Sequence, residues 1–300
     1  MYLNHNNWSV RIVLGIFVLF AAYACSNEEE KEKELEVKVD SSASTMLKFN
    51  NTLFSVPSPH QMAFLAKNQK VDYNKEFLNP TSNASKYTND FKKALNMGVY
   101  GANLGYVNIY EQNQDAINYF AVIKSLATQL NIIGAFNPKV ISRIEKNMNN
   151  KDSLLYIVST TYRNADQYLK DNRRDDMGVL ILTGGWVESV YIMTQICAKQ
   201  KNDEIMYRIG EQKHPLENLI KILSPFYNQS EEYQKLIDAF IDLAYDFDAI
   251  DFKYNYEEPT VDVKNKLTTV NGKTEVIISP EQFKKISEKI EKIRTSIVGY

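Results

Sequence analysis

The chain has 300 residues, of which 44% are hydrophobic and 24% are charged, enough apolar material for one large domain or two small ones. A formal net charge of −2 lacks the basic excess that nucleic-acid binding requires, so no nucleic-acid partner is expected. Three histidines and two cysteines exclude the common zinc, iron–sulfur and multi-disulfide frameworks. No cofactor is therefore predicted.

The N-terminus has the order of a secretory signal. Met1–Arg11 is polar with one positive charge, and Ile12–Ala24 follows as 13 residues without a charge. This run is shorter than the roughly 20 residues that cross a bilayer comfortably. The pattern predicts a signal peptide over residues 1–24. An ordinary signal cleaved after Ala24, or a short membrane anchor, is the open alternative.

The residue after this run predicts a lipid anchor. Ala22 and Ala24 precede Cys25, and this arrangement resembles the lipobox of bacterial lipoproteins, although Tyr23 departs from the usual pattern. In such proteins the cysteine becomes an acylated N-terminus. Buried acyl chains contribute about 0.8 kcal/mol per CH₂ group, so they hold a folded body at a membrane. Cys25 is therefore the predicted lipidation site, and the membrane is the predicted partner.

An acidic tether follows the cysteine over residues 25–50. Residues 26–40 contain seven acids and three lysines, and a charged stretch of this kind extends by self-repulsion. Its start also resembles the surface-export signal of lipoproteins from Bacteroidota. The location predicted is an outer-membrane lipid anchor, with the cell surface favoured over the periplasmic face; a plain solvated tether is the alternative. The signal residues are Ser26, Asn27, Glu28, Glu29 and Glu30.

Residues 51–250 predict a helical body. About eight helices fit between Pro59 and Tyr245, and Ser230 is one expected helix cap. Asn137-Pro138 and Asp152 are further expected helix starts. The fold class predicted is all-α, a multi-helix antiparallel array.

Residues 251–300 predict a loop, a small β-hairpin and a final helix. Asn271-Gly272 separates two β-branched runs within 267–278, and this dipeptide is typical of a two-residue hairpin turn. Ser279-Pro280 then opens the last helix. A lone hairpin is marginal in water, so we expect it to pack on the body.

An internal repeat is the most informative feature of the body. Met97-Gly98-Val99, followed by Gly105-Tyr106-Val107, recurs 80 residues later around Gly178 and Gly185. A duplicated unit of about four helices, with a period of about 80–90 residues, is predicted; chance resemblance between two amphipathic helices is the alternative. Glycine inside a helix costs about 1 kcal/mol relative to alanine, so its repetition indicates close helix packing. The alternative is the floor of a ligand site, with Tyr106 and Trp186 as walls.

Three segments resemble an uncharacterised family of helical lipoproteins from Bacteroidota. They are Val56–Pro59, Lys93–Tyr106 and Gly184–Ser189, within a likeness that covers roughly residues 50–250. The resemblance implies an envelope location and a helical architecture. It implies no activity and no catalytic residues.

Catalytic motifs of the common hydrolases, zincins and nucleotide-binding proteins are absent from the sequence. Asp246–Glu257 has the length of a calcium-binding EF loop, but Ile250 and Asp251 stand where a ligand and the glycine belong. Asp246, Asp248 and Asp251 are thus weak metal candidates. Together with Glu188 they are also the residues that a carboxylate-dependent enzyme would use.

Tyr254 and Tyr256 join Tyr106 and Trp186 as the candidate ligand surface. Exposed tyrosines recognise sugars and proteins because they stack and hydrogen-bond at little entropic cost. The sequence favours a non-enzymatic binding or structural subunit with a glycan or protein ligand. A carboxylate-dependent envelope enzyme, or a weak calcium-binding protein that uses residues 246–257, is the alternative.

Overall fold

The amphipathic segments of the body form helices in the computed structural model. It describes residues 45–49, 52–56, 59–135, 174–264 and 266–299, with a few isolated residues between 142 and 171. Eight α-helices lie in these ranges, so the all-α prediction is confirmed. They are α1 (Pro59–Asn68), α2 (Asp90–Ile109), α3 (Asn113–Gln129), α4 (Asp175–Lys199), α5 (Asp203–Gly210), α6 (Lys213–Leu223), α7 (Glu231–Asp248) and α8 (Pro280–Val298).

Several predicted features fall outside the described residues. They are the signal peptide, Cys25, the export signal Ser26–Glu30 and the helix starts at Asn137-Pro138 and Asp152.

Two predicted helix caps are confirmed. The Ser230 side chain accepts a hydrogen bond from the backbone N–H of Tyr233 at the start of α7. Ser279 and Gln282 form a reciprocal capping box at the start of α8, next to Pro280. These caps fix where the two helices begin.

The two glycine-bearing helices of the repeat pack directly on each other. A Cβ atom on Gly98 of α2 would lie 1.9 Å from the carbonyl oxygen of Ile181 in α4, and one on Gly184 would lie 1.9 Å from that of Leu95. Further along both helices, Asn103 reaches Glu188. Tyr106 of α2 then lines a crevice with Met193 and Ile196 of α4, so later residues of one helix meet later residues of the other and the two helices run parallel. They are an exception to the predicted antiparallel array, and a parallel arrangement is what the predicted duplication would give its equivalent helices.

Helix α4 is the centre of the body. It is long and apolar enough to cross a membrane, but 78% of its most apolar window is buried inside the protein. Helices α1, α2 and α8 all pack against it. Its continuous apolar surface is therefore covered by its neighbours.

An N-terminal hairpin was not predicted. Strand β1 (Thr45–Phe49) pairs antiparallel with β2 (Thr52–Val56), and β2 lies against α6. The tether predicted for residues 25–50 thus ends in a strand.

The C-terminal hairpin is present, but its predicted turn is wrong. Strand β3 (Asp251–Asn255) pairs with β6 (Lys273–Ile277), and β4 (Thr260–Asp262) pairs with β5 (Leu267–Thr269). The chain therefore reverses at residues 263–266, where Lys266 has a φ of 53°, and not at Asn271-Gly272. We call residues 251–277 the ribbon.

Asn271 and Gly272 have other roles in the ribbon. A type I′ turn needs positive φ at both central residues, and no described glycine has one. The Asn271 side chain instead donates hydrogen bonds across the ribbon to the Glu258 carbonyl (2.7 Å) and the Thr260 hydroxyl (2.8 Å). A Cβ atom on Gly272 would lie 2.2 Å from the Tyr254 hydroxyl. Gly272 thus makes room for this ring.

The repeat offers a matched pair of glycine substitutions. We expect Gly98→Ala to destabilise the protein by about 2 kcal/mol or more, because its Cβ would meet backbone rather than a movable side chain. Gly178→Ala is the control, since its Cβ would meet only Leu169 Cδ1 at 3.5 Å. We expect this change to be neutral or to stabilise by up to about 1 kcal/mol through helix propensity. Urea unfolding measures both, and equal effects would contradict the packing account.

Candidate functional site

Glu188 and Arg294 form a buried ion pair in the interior of the helical body. Glu188 on α4 is fully buried, and its carboxylate accepts hydrogen bonds from Arg294 Nε (2.7 Å) and Nη2 (3.1 Å) on α8. Asn103 Nδ2 on α2 donates a third bond at 2.6 Å. The guanidinium group also lies 4.2 Å from the centre of the Tyr191 ring. Burial alone would lower the pKa of Arg294, but the adjacent Glu188 raises it overall.

A set of buried side-chain amides extends this ion pair. The backbone N–H of Asn79 donates to Asn103 Oδ1 (2.9 Å), and the Asn79 side chain donates to the Tyr87 hydroxyl (2.9 Å). Asn96 donates to the Ile297 carbonyl at 2.9 Å. The network thus joins α2, the segment before it, α4 and α8, and its polar groups have protein partners, as buried groups require.

This arrangement leaves Glu188 unsuited to catalysis. Both carboxylate oxygens are engaged, and the side chain has no exposed surface. None of the candidate aspartates is among its contacts in the described residues. The pocket that a carboxylate-dependent enzyme would need is not formed around Glu188.

Tyr106 and Trp186 are not surface residues, so their assignment to a ligand surface is corrected. Trp186 is buried, packs its ring 5.7 Å from Phe240, and donates from Nε1 to Gln212 at 3.1 Å. Tyr106 is buried against Tyr73, and its hydroxyl accepts from a backbone N–H at 3.1 Å. The crevice beside Tyr106 has room for about one water molecule. The glycine motif therefore serves packing.

The acidic run is divided between a helix and a strand. Asp246 lies in α7 and pairs with Lys289 of α8 at 2.6 Å, whereas Asp248 pairs with Lys213 at 3.0 Å. Asp251 begins β3. Residues 246–257 thus do not form an EF loop. Within the described residues, no group of three or more potential ligand side chains is placed to hold a metal ion.

The thiol of Cys197 is buried in α4 and faces the Asn202 carbonyl. Burial raises its pKa to about 11. Since the thiolate is the reactive form, this cysteine is a core residue rather than a reactive one.

The ribbon carries most of the exposed large hydrophobic side chains of the described residues. Eight of the twelve large hydrophobic residues that are exposed in the described chain lie within it. Tyr254 is 57% and Tyr256 is 71% exposed, so these two members of the candidate ligand surface are accessible. The other six are Phe252, Val261, Val263, Leu267, Val270 and Ile277.

Contacts at one end hold the ribbon on the body. Val276 packs against Gly210, where an added Cβ would lie 2.3 Å from Val276 Cγ1. Phe252 lies beside His214, with ring centres 6.2 Å apart. Strands β4 and β5, by contrast, are exposed along their whole length. The ribbon is therefore attached at its base and open towards its turn.

The buried network was missed by sequence reasoning, although a pattern for it exists. Asn96 and Asn103 are seven residues apart, and this spacing places both on one face of an otherwise apolar helix. Arg294 likewise interrupts the isoleucine stripe of α8. Polar residues in an apolar stripe predict a buried hydrogen-bond network.

No protein family, curated protein or solved structure matches this chain. The resemblance to helical lipoproteins of Bacteroidota accordingly stays a prediction.

We expect Arg294→Met to destabilise the protein by about 3–5 kcal/mol, because it leaves the Glu188 carboxylate buried without a cation. The double variant Glu188→Gln with Arg294→Met should recover much of this loss. Arg208→Met is the surface control; its ion pairs with Glu204 and Glu211 are exposed, so we expect less than about 1 kcal/mol. Denaturant unfolding measures all three. Equal losses for Arg294→Met and Arg208→Met would show that the buried pair does not hold the helices together.

Proposed function

We propose that this protein is a lipid-anchored component of the bacterial outer membrane, acylated at Cys25, that acts as a non-enzymatic binding or structural subunit. The observation that carries the anchor is Cys25 itself, which follows a 13-residue apolar run and two small residues. The acidic residues after it favour display at the cell surface over the periplasmic face. In this proposal the helical body is a support that the anchor keeps at the envelope.

The interior of the body supports a non-enzymatic role. The acid that a carboxylate-dependent enzyme would use, Glu188, is held by Arg294 and Asn103. Asp246 and Asp248 pair with different lysines, so these acids do not converge on one substrate position. The enzyme and calcium-binding alternatives both needed several of these acids close together, and the described residues do not bring them together.

The ribbon is the surface that a ligand would meet. Tyr254 and Tyr256 each combine an accessible ring with a hydroxyl group, and such side chains suit a glycan or a protein ligand. We assign the binding role to this ribbon rather than to the groove between the two repeat helices, because close packing fills that groove.

Cys25→Ala tests the anchor. We expect the unaltered protein to incorporate labelled fatty acid and to sediment with membranes, and the variant to lose both properties. Cys197→Ala is the matched control, since it removes the buried thiol and leaves Cys25 in place. The proposal fails if the Cys25→Ala variant is acylated and membrane-bound to the same extent as the unaltered protein.

Protease treatment of intact cells tests the orientation. Loss of the body while the cells stay intact is the result expected for surface display. Protection of an acylated body would contradict surface display and assign the protein to the periplasmic face.

A further inference from the structure

The turn end of the ribbon differs in composition from its base. The exposed aromatic residues Phe252, Tyr254 and Tyr256 all lie towards the base, together with Ile277, whereas every exposed apolar residue of the turn end is aliphatic. We call residues 260–270 the ribbon tip. Val263, in the turn itself, is 82% exposed, and the other exposed aliphatic residues of the tip are Val261, Leu267 and Val270. Such a concentration of exposed aliphatic side chains is typical of a site that contacts an apolar partner.

The charges of the tip favour one kind of partner. Lys264 and Lys266 lie in the turn, and neither forms an ion pair within the described residues. Asp262 is the one acid in residues 260–270, so the tip has a net charge of +1. Glu257 and Glu258 lie between the tip and the base. Aliphatic side chains beside lysines fit a bilayer with anionic headgroups, because the long lysine stems can lie along the apolar region while their amines contact phosphate.

The order of residues along the ribbon fits the same partner. Aliphatic side chains occupy the end farthest from the body, and the tyrosines come nearer to it. Tyrosine is enriched at the level of the headgroups, where its ring is apolar and its hydroxyl stays hydrated. A protein ligand would not require this gradient from aliphatic tip to aromatic base.

We infer that the ribbon tip is a second membrane-contact site, which inserts Val263 and its aliphatic neighbours among anionic lipid headgroups. This inference rests on the proposed function, since the acylated Cys25 would hold the body near the bilayer. Nineteen residues, 26–44, separate Cys25 from β1, and a chain of that length reaches at most roughly 65 Å. The tip contact would restrict the orientation of the body relative to the bilayer.

An environment-sensitive fluorophore on the turn tests the inference directly. The probe is nitrobenzoxadiazole attached to a Val263→Cys variant of the full acylated chain, in vesicles of phosphatidylethanolamine and phosphatidylglycerol. The buried thiol of Cys197 does not compete for the label. Gln129→Cys, on the exposed end of α3, is the matched control. With the probe at position 263 we expect the fluorescence emission to shift to shorter wavelength and to be quenched by spin labels on the acyl chains. With the probe at position 129 we expect neither change.

Variants without the two lysines test whether anionic lipid attracts the ribbon tip. Because one lysine near an anionic surface contributes about a five-fold gain in partitioning, Lys264→Gln and Lys266→Gln together should reduce the quenched population by about an order of magnitude or more. Replacing the anionic phosphatidylglycerol with zwitterionic phosphatidylcholine should also reduce the quenched population.

Three results would overturn the inference. A probe at position 263 that stays in water, while the acylated chain stays on the vesicles, refutes the tip contact and leaves the anchor intact. A probe that becomes buried without vesicles as the protein concentration rises identifies a second copy of the chain as the partner instead. An acylated chain that does not stay on vesicles refutes both the inference and the proposed function.

Discussion

The close approach of α2 and α4 is the constraint on which the rest of this structure depends. At Gly98 and Gly184 the two backbones come so near that no side chain fits between them. This approach brings Asn103 within hydrogen-bonding distance of Glu188 and buries that acid completely. A buried carboxylate needs a cation, and Arg294 of α8 supplies it. The close approach at Gly98 and Gly184 thus helps to set where the C-terminal helix packs, because it positions the Glu188 carboxylate that Arg294 meets.

The same constraint separates the scaffold from the surface. The interior is filled by packed helices and a closed hydrogen-bond network, which suits a rigid support better than a catalytic centre. The groove that the repeat suggested is occupied by the helices themselves. The ribbon is different, because only its base contacts the body through Val276 and Phe252. The proposed function in recognition or membrane contact is therefore assigned to the ribbon, the least covered part of the described chain.

Helix periodicity and capping residues predicted much of the fold, because both act within a few residues of sequence. Ser230 and Ser279 cap the helices that they were expected to cap, and Gly98 packs closely on α4, as the glycines of α2 indicated. Predictions that depended on distant contacts were less successful. Asn271-Gly272 has the composition of a hairpin turn, but strand β3 pairs with β6 and moves the turn to residues 263–266. Tyr106 and Trp186 were assigned to a surface because sequence does not reveal which side of a glycine face the neighbouring helix covers. Tyr254 and Tyr256 are accessible as expected.

Native-state hydrogen exchange of the full chain is the most direct test of a closed scaffold that carries an open ribbon. The account predicts that backbone amides in the middle of α2 and α4 exchange only through global unfolding. Amides of β4 and β5 should exchange through local opening at a small fraction of that free energy. Exchange of α2 or α4 through a partial opening, with β4 and β5 equally protected, would contradict the account.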